Sequence, residues 1–185
     1  FETPIEKKFL EDGYIIQKCD NFDGLEILRN NFFEWLLDEI QIKKDLNVNL
    51  FFNQFHNYVS TDKINEIRLK IYSLLNKQQW SRPTFFSFGK KVIEKIVSNE
   101  LVMQKQINLS IMMPKDTSSN ISLHADTHSG ESPFQVVMWL PLTNVYKTKS
   151  MYIIPPEANK VVNKNFKSWM EKGGVKKVLS EMNSY

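Results

Sequence analysis

An imidazole and a carboxylate stand one residue apart at His124-Ala125-Asp126. In extended backbone, residues i and i+2 point to the same face, so the two side chains would project together from a stiff support. Iron(II) chemistry uses such a pair. Two histidines and one carboxylate on one face of an octahedron leave the other positions open for co-substrate and oxygen. A His-x-Asp doublet arises by chance in many chains, and its setting gives this one weight. It lies within residues 121–141, between a polar loop and a continuous apolar run. His128 would share a face with His124 on a helix. Ser129, Gly130 and Pro133 indicate a loop instead, which puts His128 at the rim of a pocket or on the surface. His56, among Phe51, Phe52, Phe55 and Tyr58, reads as a surface or core histidine satisfied by a neighbour.

The elements that must position this pair change character along the chain. Thr3-Pro4-Ile5-Glu6 is a helix start: Thr3 can cap, Pro4 suits the first position, Glu6 closes a capping box, and Gly13 ends the helix. Tyr14-Ile15-Ile16 reads as a short strand. A second helix begins at Asp23, with Leu25, Leu28, Phe32, Leu36 and Ile40 as its buried stripe and Phe33 and Trp35 widening it. Residues 46–60 are less regular. A third amphipathic helix spans 61–77 with Ile64, Ile67, Ile71, Leu74 and Leu75 inside. A fourth follows Pro83, with Phe85, Phe88, Val92, Ile93, Ile96 and Val97 on one side and Gly89 weakening its middle.

After Asn99 the period becomes two. Ile107, Leu109, Ile111 and Met113 alternate with Gln106, Asn108, Ser110 and Met112, the pattern of a strand with one apolar and one mostly polar face. Residues 114–120 are a polar loop. Phe134 to Leu140 is a continuous apolar strand between Pro133 and Pro141, and Met151 to Ile154 is another, stopped by Pro155-Pro156. In the tail, Trp169, Val175, Val178 and Leu179 around Gly173-Gly174 suggest two short helices with a solvated lysine face.

The chain has 185 residues, 42% hydrophobic and 12% aromatic, enough for the core of one domain. The net charge of +3 is slight and dispersed, which argues against nucleic acid as a partner. A single cysteine, Cys19, fits a reducing cytoplasm. No apolar run reaches the length of a membrane span, and no signal-peptide pattern opens the chain.

Several stretches together resemble the iron(II)/2-oxoglutarate-dependent oxygenases, on the phytanoyl-CoA-hydroxylase-like side, and more narrowly the group found in bacterial carbohydrate biosynthesis clusters. They are Asn108-Leu109-Ser110-Ile111 with Pro114, then Leu123-His124-Ala125-Asp126, then Ser129-Gly130-Glu131-Ser132-Pro133-Phe134-Gln135-Val136-Val137, then Trp139-Leu140-Pro141-Leu142, and Tyr146 through Pro155. The resemblance covers about residues 100–156, and Phe9-Leu10-Glu11-Asp12-Gly13-Tyr14-Ile15-Ile16 fits the family's start.

The resemblance implies an α+β fold: a double-stranded β-helix, or jelly roll, with N-terminal helices packed on one side. It implies a single oxygenase domain over 1–185, with 1–100 as helical support and 101–185 as the first part of the jelly roll. It carries His124 and Asp126 over as metal ligands and catalytic residues, with Fe(II) as cofactor and 2-oxoglutarate as co-substrate. It places Gln106, Asn108 and Ser110 on the cavity wall, and Gln135 and Trp139, of one parity on the next strand, facing the same cavity. Tyr146, Lys147 and Lys149 fall on a loop near its mouth. The reaction implied is hydroxylation of a small polar metabolite, such as a sugar or sugar nucleotide.

The family's late histidine and the arginine after it have no counterpart: nothing after His128 supplies the one, and no arginine follows Arg82. The expectation is therefore a C-terminally incomplete jelly roll, a fragment inactive by itself. A jelly-roll module that binds ligand without redox chemistry, and a cupin-like metal enzyme that does not use 2-oxoglutarate, are the alternatives.

Overall fold

A computed structural model describes residues 3–42, 45–116 and 124–182. They fall into two compact units, one within 17–119 and 138–149, the other within 1–16, 120–137 and 150–185.

The first unit is helical, and its sequence explains why. Helix α2 (Phe22–Ile40) begins one residue before the expected Asp23, where the Asn21 carboxamide accepts the Gly24 N–H at 2.9 Å. The same carboxamide donates to the Ser87 hydroxyl at 2.8 Å, which ties the helix start to a distant segment. Leu28, Phe32, Phe33, Leu36 and Leu37 form the buried stripe of α2, at the expected spacing. The irregular stretch holds helix α3 (Val48–Asn53), capped by Asn47, and a 3-10 turn at Phe55–Asn57. Helix α4 (Ile64–Lys77) buries Ile64, Ile67, Ile71 and Leu75.

Phe51 has no exposed surface and is the hub of this core. Its ring meets Phe33, Phe52 and Phe55 edge-on at 5.1–5.8 Å and packs tilted on Tyr58 at 5.3 Å. Such edge-to-face pairs add to the burial of area because the ring edge and ring face carry opposite partial charge. The expected fourth helix is two: α5 (Ser81–Ser87) and α6 (Lys90–Ile96), parted at Gly89.

In the second unit, α1 (Pro4–Asp12) obeys its local code. Thr3 and Glu6 form the reciprocal capping box, Pro4 opens the helix, and Gly13 ends it at φ 78°. Helix α7 (Pro156–Met182) is broken at Gly173–Gly174, where Gly174 has φ 61° and ψ −157°. Val162 and Val178 are buried in one cluster with Ile154, Phe166 and Trp169. Sixteen residues of straight helix would hold them roughly 24 Å apart, so the glycine break folds the second half back on the first. The two short helices expected in the tail are therefore present.

The jelly roll is not. Among the described residues 55% are helical and about 1% are strand, and no sheet forms. Among the described residues the pairing left is one isolated antiparallel bridge, Tyr146 to Lys149. The expected α+β double-stranded β-helix is thus corrected to a helical architecture with long irregular connections. Tyr14 to Ile16 has no regular structure and pairs with no described strand, and Ile16 is largely exposed. The segment 107–113 keeps its alternation in burial: Ile107 and Met113 are buried in the helical core, Leu109 and Ile111 half-buried against it, while Asn108, Ser110 and Met112 are exposed. It packs as a strand would on one face and lacks a strand beside it. The 134–140 run departs further. Phe134 is 89% and Val137 66% exposed, and only Met138 and Leu140 pack on the core. Met151, Tyr152 and Ile153 are also exposed and unpaired. Hydrophobic period tells which side chains favour burial, but a strand exists only where a neighbour accepts and donates along its edge. No described segment does so here. Most of the 114–120 loop and residues 121–123, which lead into His124, lie outside the described residues.

Candidate functional site

His124 and Asp126 do come together. His124 Nε2 lies 3.5 Å from Asp126 Oδ1, with 44% and 43% of the two side chains exposed. The backbone that holds them differs from the expected strand. Asp126 opens a 3-10 turn, Asp126–Ser129, which also contains the backbone of His128. The turn is closed by Gly130 N–H to the Thr127 carbonyl at 3.2 Å and Glu131 N–H to the Asp126 carbonyl at 3.3 Å. Gly130 takes φ 91° there, a left-handed conformation that glycine accepts at no steric cost.

Gln135 completes the cluster. Its side-chain N–H donates to Asp126 Oδ2 at 3.2 Å. A second small turn places it: the Gln135 N–H bonds the Ser132 carbonyl at 3.2 Å, and the Phe134 N–H bonds the Ser132 hydroxyl at 3.2 Å. One carboxylate oxygen is thus held by an amide and the other faces the imidazole. The resemblance gave Gln135 a place facing the co-substrate cavity, and the structure seats its amide on Asp126. Parity could not reveal this contact, because it depends on two turns rather than on a strand.

The separation suits a metal chelate. Two donors about 2.1 Å from one ion sit roughly 3.0 Å apart at neighbouring octahedral positions and roughly 3.4 Å apart in a tetrahedron. A nitrogen and an oxygen 3.5 Å apart therefore need to close by only a few tenths of an ångström. One imidazole with one carboxylate is a donor set for Fe(II), Mn(II) or Zn(II). The pair fits two positions of such an ion. No group of three His, Cys, Asp or Glu gathers among the described residues.

The other expected site residues lie in the helical unit. Gln106, Asn108 and Ser110 are exposed, as their parity implied. The Gln106 side-chain oxygen Oε1 accepts from the Tyr72 hydroxyl at 2.7 Å. Asn108 and Ser110 line a groove of about 310 Å³ with Leu109 and, from α4, Arg68, Leu69 and Tyr72. Trp139 is half-exposed. Tyr146, Lys147 and Lys149 form a loop fastened to α3: Asn53 Oδ1 accepts from Lys149 Nζ at 2.9 Å and from the Asn144 N–H at 3.1 Å. His56 is exposed on its 3-10 turn, in line with its reading as a surface histidine.

Sequence reasoning missed Asn76. Its carboxamide accepts the Ile107 N–H at 2.8 Å and donates to the Ile107 carbonyl at 3.0 Å, while also donating to the Tyr72 carbonyl at 2.9 Å. One side chain thereby serves Ile107 as a neighbouring strand would. An asparagine in the last turn of a helix carries no signal that would foretell this. No helix among the described residues is long and apolar enough to cross a membrane. Comparison with protein-family models, curated proteins and solved structures finds no match to the chain.

Proposed function

We propose that His124 and Asp126 are the protein donors of an Fe(II)/2-oxoglutarate-dependent oxygenase site that hydroxylates a small polar metabolite, such as a sugar or sugar nucleotide. The observation that carries this reading is the 3.5 Å bite of the pair, with a donor from Gln135 on the far oxygen of Asp126. Both side chains reach solvent, with 44% and 43% of their surfaces exposed.

The residues have separable tasks. His124 offers the Nε2 lone pair, which requires the neutral imidazole. Asp126 offers Oδ1. Gln135 holds Oδ2, which fixes the rotation of the carboxylate and keeps Oδ1 turned toward His124 Nε2, as outer-shell partners of metal ligands commonly do. When bound, iron with 2-oxoglutarate and O2 supplies the oxidising power for the overall change: C–H becomes C–OH, and 2-oxoglutarate becomes succinate and CO2.

The test is a Mn(II) titration of the chain, read by electron paramagnetic resonance, with and without 2-oxoglutarate. Binding that is tightened by 2-oxoglutarate and lost in both His124→Ala and Asp126→Ala supports the reading. Binding that ignores 2-oxoglutarate removes the oxygenase assignment and leaves a plain metal site. Binding that survives both substitutions removes the metal site as well.

A further inference from the structure

The groove beside α4 is built against a main-chain edge that no described residue pairs with at Leu109. Ile107 marks which edge. Both its N–H and its carbonyl are taken by the Asn76 carboxamide, so that edge of the extended segment faces α4. In extended backbone the N–H and carbonyl of residue i+2 point to the same side as those of residue i. The N–H and carbonyl of Leu109 therefore also face α4. Neither has a hydrogen-bond partner among the described residues.

Two strand residues advance about 6.7 Å and four helix residues about 6 Å, so the next rung from Asn76 on α4 is Tyr72. Tyr72 cannot repeat what Asn76 does, because its hydroxyl is spent on Gln106. The space left between Tyr72, Leu69 and Arg68 on one side and Asn108 to Ser110 on the other is the groove of about 310 Å³. Among the described residues no acidic side chain lines it, and the one charged group is the Arg68 guanidinium. That group uses one N–H on Asn65 and has others to offer.

We propose that this groove binds an extended peptide segment carrying an acidic side chain. The peptide unit pairs with the N–H and carbonyl of Leu109 as the Asn76 amide pairs with Ile107, and its carboxylate meets Arg68. This is strand addition at an unpaired edge, in which main-chain bonds supply affinity and a side-chain contact supplies choice. The edge is pre-ordered, since Ile107 and Met113 are anchored in the core at both ends of the segment. A volume of this size takes two or three residues, so the contact is local and the affinity modest. The inference stands apart from the metal pair and does not require it.

The experiment is an amide-resolved NMR titration of the whole chain with a blocked pentapeptide, acetyl-Thr-Val-Glu-Val-Thr-amide, and with its Gln counterpart. The expected result is a shift of the Leu109 amide and its protection from solvent exchange at millimolar Glu peptide. Arg68→Gln should weaken the Glu peptide by about threefold to tenfold and leave the Gln peptide unchanged, as befits a partly exposed charge-assisted bond. An unmoved Leu109 amide at saturating peptide would overturn the proposal. So would glutarate alone producing the Arg68-dependent shifts while no peptide protects Leu109, which would make the groove a small-anion site.

Discussion

At the scale of residues, the chemistry rests on three side chains that two short turns bring together. Asp126 lies between the His124 imidazole and the Gln135 amide, one partner to each oxygen. Removal of either donor should abolish Mn(II) binding with little change in the circular dichroism spectrum, because both side chains are half-exposed and bury little apolar surface. Gln135→Leu should keep the metal but weaken it by about 10-fold or more, the usual consequence of losing an outer-shell hydrogen bond. Unchanged affinity in that variant would mean that the amide does not set the carboxylate. Acid should release the metal, since protons compete for both donors, and a titration against pH reads this directly.

At the scale of elements, the tail hairpin and the 107–113 segment each depend on a single residue type. Gly174 sits at φ 61° and ψ −157°, a region that residues with a Cβ adopt only under strain. Gly174→Ala should cost about 1–3 kcal/mol and separate Val178 from Val162, which methyl NMR contacts between the two valines would report. Asn76 is the partner of both backbone groups of Ile107. Asn76→Leu would leave a buried residue with an unmet N–H and carbonyl, at a cost of about 1–3 kcal/mol for each group. Faster hydrogen exchange at Ile107, with α4 still protected, is the expected signature.

At the scale of the whole molecule, burial is uneven. The helical unit closes on the aromatic cluster around Phe51, and Phe51→Ala should lower its stability by about 3–5 kcal/mol, as phenylalanine truncation in a packed core does. Chemical denaturation followed by tryptophan fluorescence suits this test, because Trp35 and Trp80 stack at 6.4 Å beside that core. The irregular connections, by contrast, leave Phe134, Val137, Tyr152 and Ile153 in water. Phe134 with Val137, and Tyr152 with Ile153, lie close in sequence, and exposed apolar groups that cluster associate. Sedimentation should therefore reveal concentration-dependent self-association that Phe134→Lys with Val137→Lys reduces. A strictly monomeric parent protein would show that this surface is innocuous.

Local sequence determined what local physics controls. Thr3, Pro4, Glu6 and Gly13 specify α1 because each acts on backbone within one turn. The three-to-four spacing from Leu25 to Ile40 specifies the buried face of α2, and the alternation from Ile107 to Met113 specifies which side of that segment meets the core. The nearness of His124 and Asp126 was expected from a strand, and a 3-10 turn that opens at Asp126 provides it instead. Tertiary structure alone decided whether an extended segment has a neighbour. The same apolar period that reads as a sheet strand can lie on helices with its edges open, because hydrogen-bond partners along a strand come from distant sequence. Gln135 on Asp126 and Asn76 on Ile107 are of that kind: each is a hydrogen bond that only the folded path of the chain could bring within reach.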